Sequence, residues 1–197
     1  MEISSTGLSA EAAYKLLVGV IVPRPIAWVT TLSSSGSVNL APFSFFTLVS
    51  QKPPMIAISV GRRAGKLKDT ARNIEARRDF VVNISDETMF EKVHLSGAEY
   101  AEDVSEADML GLALLPSRDV AVPRLAIAPI SLECSLSQNI EFGDLLSRLI
   151  VGEVRRFHIR DDLYRDGKID TDKLRPLARV AGPSYASLDN FIRLKPS

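Results

Sequence analysis

Apolar side chains alternate with polar ones along several short stretches of this chain, and a period of two is the mark of a half-buried strand. Ile130, Leu132, Cys134 and Leu136 alternate in this way with Ser131, Glu133 and Ser135. From Ile26 to Leu32 the residues are β-branched, aromatic or aliphatic, and Ser33-Ser34-Ser35-Gly36-Ser37 then supplies a turn, so a hairpin starts here. Met55 to Val60, introduced by Pro53-Pro54, Phe80 to Ile84, and Leu149 to Ile159 are further strands; Gly152 marks a bulge or a close backbone approach in the last. Tyr164-Arg165-Asp166-Gly167-Lys168-Ile169 reads as a hairpin with Asp-Gly at its tip.

Helical spacing is rarer. Leu8, Ala12, Ala13, Leu16 and Leu17 predict a first helix that Ser9 caps and that Gly19, Pro23 and Pro25 end. Leu67, Ala71 and Ile74 predict a second, closing near Arg77-Arg78. Residues 86–116 mix helical spacing, acidic residues and Gly/Pro, and are expected to form a helical or irregular excursion covering the sheet. Many strands and no regular βαβ alternation favour a mainly β barrel over a doubly wound sheet.

Composition narrows the function more than the fold. The 197 residues, 46% apolar and 24% charged, suit a single domain over 1–197. Lys plus Arg and Asp plus Glu are balanced at 24 each, so no overall field recruits nucleic acid or an anionic membrane. The lone Cys134 can form neither an internal disulfide nor a cysteine metal site. The segment Met1-Glu2-Ile3-Ser4-Ser5 lacks the basic and apolar regions of a secretory signal, and no apolar run approaches the roughly 20 residues that span a bilayer. A cytoplasmic protein is expected.

The loop Gly61-Arg62-Arg63-Ala64-Gly65-Lys66 feeds a helix containing Lys68, Asp69 and Thr70. Glycines let N–H groups converge, the helix start carries partial positive charge, and the cations add full charges, so a phosphate is at home there. Solvated surface charge beside a turn is the other reading. It is not a nucleotide-triphosphate loop, because three residues separate the glycines and Leu67 follows the lysine. Thr30, Thr31, Asn39 and Ser44 sit among apolar residues and require solvent, a buried partner or a polar ligand. His94 and His158 have no metal-ligand spacing around them, the acidic run from Asp161 to Asp172 fails the calcium-loop pattern, and no GxSxG elbow occurs. Cys134 reads as a structural thiol, and the sequon Asn83-Ile84-Ser85 as a chance match within a strand.

A set of short segments then recurs in one order. Pro23-Arg24-Pro25-Ile26-Ala27-Trp28-Val29-Thr30-Thr31 is followed by Asn39-Leu40-Ala41-Pro42-Phe43-Ser44-Phe45-Phe46, by Met55 to Val60, Lys68 to Ile74 and Phe80 to Asn83. Leu132-Glu133-Cys134, Gly152-Glu153-Val154 and Pro176 to Tyr185 complete it. In this order the chain resembles the flavin reductase-like family. The resemblance implies a six-stranded antiparallel split β-barrel of Greek-key type with a few peripheral helices, forming a homodimer with FMN near the interface. It implies that Thr30, Thr31 and the segment Asn39, Leu40, Ala41, Pro42 to Ser44 line the flavin ring and ribityl chain, largely through main-chain N–H groups. Ser59, Arg62, Lys68 and Thr70 would surround the phosphate, and Tyr185 would reach toward the flavin. Relatives often carry two glycines after the arginine of the last motif, whereas here Ala181 precedes a single Gly182.

The activity so implied is FMN-dependent oxidoreduction, with NADH or NADPH giving hydride to flavin N5 and electrons passing to free flavin, a metal chelate or a partner protein. The flavin carries that chemistry, and no dedicated protein acid or base is required. An FMN-holding electron-transfer protein that does not oxidise nicotinamide rapidly is the alternative, and a barrel with another ligand or only a protein partner is the third.

Overall fold

A computed structural model describes residues 1–101, 104–188 and 190–194; Glu102 and Asp103, within the expected excursion, lie outside it. Seven antiparallel strands form its main sheet: β1 Ala27–Leu32, β2 Val38–Phe43, β3 Phe46–Gln51, β4 Pro54–Val60, β5 Asp79–Ile84, β6 Ile130–Phe142 and β7 Ser147–Ile159. Their order across the sheet is β2-β1-β5-β6-β7-β4-β3. The first and last strands of that order are joined by only Ser44 and Phe45. So short a link brings the two ends of the sheet together and obliges the sheet to curl, and the Ser59 N–H donates to the Phe45 carbonyl at 2.8 Å, carrying the β3–β4 ladder into the link. This is the expected split barrel with one strand more than the expected six. The extra strand is Phe46–Gln51, where Ser50 and Gln51 disguise an edge strand whose outward side chains Leu48 and Val49 stay exposed.

The barrel interior is filled by Val29, Ile58, Phe80, Val82, Cys134 and Ile150, and α2 (Asp69–Arg77) contributes Ala71 and Ile74 to it. Gly152 is required by close approach, because a Cβ there would stand 2.4 Å from Phe80 Cζ. The opposite face of β1 and β2 presents Trp28 and Leu40, with Ile26 just before β1, to a second cluster formed with Met89, Val93, Ala107, Leu112 and Leu125. The segment that the sequence marks as an excursion therefore covers the sheet, through α3 (Phe90–Leu95) and α4 (Glu106–Met109), and continues to Leu125. Trp28 is fully buried and its indole N–H donates to Ser96 Oγ at 2.8 Å, fixing α3 to β1.

Asn83 ties the layers together: its amide donates to the Trp28 carbonyl at 3.0 Å, and its oxygen accepts from the Leu125 N–H and Ser131 Oγ. Glu133, fully buried, accepts the N–H groups of Arg118, Asp119 and Val120 and contacts His158 Nε2 at 2.5 Å. Burial raises its carboxyl, but His158 and the N–H groups outweigh that and hold it below the usual carboxylate range. The hairpin at 164–169 forms with Asp166 and Gly167 both at positive φ, as its Asp-Gly tip predicts. α1 (Ala10–Val20) is capped by Ser9, yet Leu16, Leu17 and Val20 remain exposed and only Val18 is buried. No helix among the described residues is long and apolar enough to cross a membrane.

Candidate functional site

β2 runs along one edge of the main sheet, and α2 starts beside it, so a groove of about 380 Å³ opens between them. One wall is Asn39, Ala41, Pro42 and Phe43; the other is the turn Arg63-Ala64, Lys66, Lys68 and the first turn of α2; residues 96–100 and Glu106 close the side. Lys68 occupies the N-cap of α2 and makes no side-chain capping bond, leaving the positive end of the helix directed at the groove. Partial burial lowers the Lys68 ammonium, and the neighbouring charge of Arg63 lowers it further. Among the described residues no carboxylate pairs with Lys66 or Lys68, whereas Arg63 pairs with Glu99 and Arg72 with Asp69.

A buried network sets the position of that helix. Asn39 Nδ2 donates to Thr70 Oγ1 at 3.1 Å and to Thr31 Oγ1 at 3.3 Å, and Asn73 Nδ2 donates to Thr31 Oγ1 at 3.1 Å. Polar residues on apolar strands thus find partners within the protein, and the side chain of Thr31 orients α2 rather than facing the groove. Thr30 points to the opposite face, where its hydroxyl donates to the Pro123 carbonyl at 2.7 Å. Both threonines are fully buried. Asn39 and Thr70, by contrast, line the groove.

The expected main-chain donors of β2 are committed elsewhere. Leu40 N–H points away from β1 and donates to Glu106 Oε2 at 2.8 Å. Alternation along an antiparallel strand then turns the N–H groups of Asn39 and Ala41 toward β1, and Pro42 has none. Leu40 itself is buried in the outer cluster. This stretch consequently offers a groove-bound ligand side chains and carbonyls. Glu106, 8% exposed, is a groove residue that sequence reasoning missed; its burial raises the carboxyl, the Leu40 N–H and its own amide lower it, and the charge of Asp69 raises it. The signal for it, an outward N–H on an edge strand, exists only once the strand order is known.

Two expected phosphate residues are not brought to the groove. Ser59 lies within β4 opposite Leu149, and Arg62 reaches away to the Leu146 carbonyl at 3.0 Å and Glu141 at 3.1 Å. The reason is local geometry: Arg62-Arg63 pairs with Lys66-Leu67 as a tiny hairpin, with Ala64 and Gly65 at positive φ. Successive strand residues face opposite ways, so Arg63 enters the groove and Arg62 leaves it. Reading Arg62 to Lys66 as a two-residue hairpin loop, rather than an open loop, would have found this.

A second compartment of about 400 Å³ adjoins the first, sharing Pro42, Lys68 and Gly97 with it. Ser44 and Tyr185 line this one. It exists because Arg24-Pro25 pairs with Ala178-Arg179, which pairs in turn with Tyr185-Ala186. Arg179 donates to the Tyr185 hydroxyl at 2.5 Å, and His94 Nδ1 lies 3.2 Å from the same oxygen. Burial raises the Tyr185 phenol, with Arg179 acting against it. No cluster of three His, Cys, Asp or Glu that could hold a metal occurs among the described residues.

The chain's relatives share both the sequence and this architecture. The protein YwrF of Bacillus subtilis is 44% identical over 96% of each chain. Nitrilotriacetate monooxygenase component B from Bacillus cereus superposes with a TM-score of 0.95 at 37% identity, over 98% of both chains. The 2-nitrobenzoate 2-nitroreductase NbaA of Pseudomonas fluorescens gives 0.91 at 35%, covering 100% of this chain and 96% of its own. A family model described as the flavin reductase like domain matches residues 20–177. With a split barrel whose edge strand and α2 enclose the groove inside that span, the chain belongs to the flavin reductase-like family.

Proposed function

We propose that this protein is an FMN-dependent oxidoreductase that takes electrons from NADH or NADPH and delivers them to a small-molecule or protein acceptor. The observation that carries the reading is the polarity of the groove: Lys66 and Lys68, without carboxylate partners among the described residues, and an uncapped helix start on one wall, and the wall Asn39 to Phe43 on the other. A ligand with a dianion at one end and a planar ring at the other fits that layout. Lys68, Arg63, Lys66 and the first turn of α2 would hold the phosphate. Asn39, Ala41 and Pro42 would flank the ring, and Glu106 and Thr70 are within the same groove for ribityl hydroxyls.

Bound flavin supplies two-electron redox chemistry, so the residues of this chain bind, orient and exclude water. The half-buried Lys68 places a cation where the surroundings screen it weakly, which strengthens its hold on an anion. Anaerobic mixing of the FMN-loaded protein with NADH and with NADPH tests the activity: bleaching of flavin absorbance by either supports the reductase reading, and bleaching by neither assigns the protein to nicotinamide-independent electron transfer.

A homodimer is part of the proposal. Leu48 and Val49 on the edge strand β3, Phe142, Leu145 and Leu146 at the β6–β7 tip, and Leu16, Leu17 and Val20 of α1 are all exposed. An edge strand and apolar surface of this extent support a second copy as the cover. Light scattering at twice the chain mass is expected, and a monomeric mass across micromolar concentrations would contradict it.

A further inference from the structure

Besides Lys68, which it shares with the groove, the second compartment carries two further cations that the groove does not use. Arg24, Lys68 and Arg179 all line it, and no aspartate or glutamate does. Among the described residues none of these three has a carboxylate partner, although Arg62 and Arg148 share Glu141, Arg156 pairs with Asp119 and Arg160 with Asp162. Arg24 is 5% exposed and held rigid by the carbonyls of Val18, Ile21 and Val180, at 2.7, 2.6 and 2.5 Å. Carbonyls orient a guanidinium without cancelling its charge, so a fixed positive field remains. Arg179 lies 4.6 Å from the Tyr185 ring centroid, donates to the Tyr185 hydroxyl and the Gly182 carbonyl, and is only half-buried, which makes it the more accessible guanidinium of the two. Tyr14, Ile26 and Tyr185 add aromatic and apolar wall to this charge.

We propose that this compartment binds the carboxylate of a small aromatic acid, the second substrate of the flavin site. Arg179 anchors the carboxylate, Lys68 and Arg24 supply the field, and Tyr14 and Tyr185 frame the ring. Its role as a substrate site rests on the flavin reading; its anion preference does not. The same cations could meet the pyrophosphate of a dinucleotide, and the aromatic wall favours the ring-bearing acid.

Calorimetric titration with benzoate, with neutral benzamide and with inorganic pyrophosphate tests this, each in the FMN-free and the FMN-saturated protein. Benzoate is expected to bind at least about tenfold tighter than benzamide, the worth of one charge-assisted contact. Arg179→Ala should erase that preference and Arg179→Lys keep part of it. Benzoate binding no tighter than benzamide, or pyrophosphate binding where benzoate does not, would overturn the proposal. If FMN fails to bind while the benzoate preference persists in the FMN-free protein, the flavin reading falls and the anion site stands.

Discussion

Loop 117–123 and the start of α2 both present backbone N–H groups outside any strand ladder, but only at the loop does a side-chain carboxylate of the protein accept them. There Glu133 accepts from three successive N–H groups, and Asp119 forms a two-point pair with Arg156 at 2.8 and 2.9 Å. At α2 the cap is Lys68, and neither it nor Lys66 meets a carboxylate among the described residues. Desolvated donors without acceptors are costly. A region that satisfies itself is architecture, and a region left electropositive is poised for an anion from outside.

The largest expected effect is on the self-satisfied side. Glu133→Ala strands three N–H groups and the His158 contact, and should cost roughly 3–5 kcal/mol of stability in urea unfolding. Because the folded carboxyl is held below its unfolded value, its contribution is complete above the ordinary glutamate range, near pH 4.3, and is lost as pH falls through the folded value. The gap between the wild type and Glu133→Gln should therefore narrow as pH falls below the ordinary glutamate range and through the lowered folded value. A gap that persists would show that packing, and not ionisation, is what Glu133 contributes.

On the electropositive side, Lys68→Ala with Arg63→Ala should weaken FMN on the order of a hundredfold, about 2.7 kcal/mol, and riboflavin by only a few-fold, as two charge-assisted contacts to phosphate predict. Arg62→Ala is the internal control, since Arg62 serves Glu141 and Leu146. An Arg62 effect on FMN equal to that of Arg63 would break the account of the hairpin.

Glu106 joins the two behaviours, being a buried carboxylate that satisfies Leu40 at the edge of the groove. Its folded value is raised, so ionisation costs stability as pH climbs from the unfolded glutamate range through that raised value. Glu106→Gln keeps an acceptor for Leu40 without the charge; it should match the wild type near pH 4 and exceed it by about 1 kcal/mol or less at pH 8. Melting temperatures across that range decide it.

How much of this could be read in the chain differs between the two regions. The strands β1, β4, β5, β6 and β7, both long helices and the covering role of the excursion follow from periodicity, because burial on one face leaves a period in the sequence. Strand β3 escaped, since an edge strand with exposed Leu48 and Val49 carries no such alternation. The basic loop was visible as charge, but which arginine enters the groove is a matter of one residue of register. Thr30 and Thr31 were visible as polar residues in need of partners, and their partners, Pro123, Asn39 and Asn73, lie 8 or more residues away. Glu106 and the loop anchor Glu133 depend on tertiary neighbours, which no local pattern encodes.

Whether the open end of α2 is a phosphate site is decided by the affinity of the purified, flavin-free protein for FMN against riboflavin, followed by fluorescence at low and high salt. FMN is expected to bind at least about tenfold tighter, with an advantage that shrinks as salt screens the cations. Equal affinities for the two flavins at both salt concentrations would contradict it.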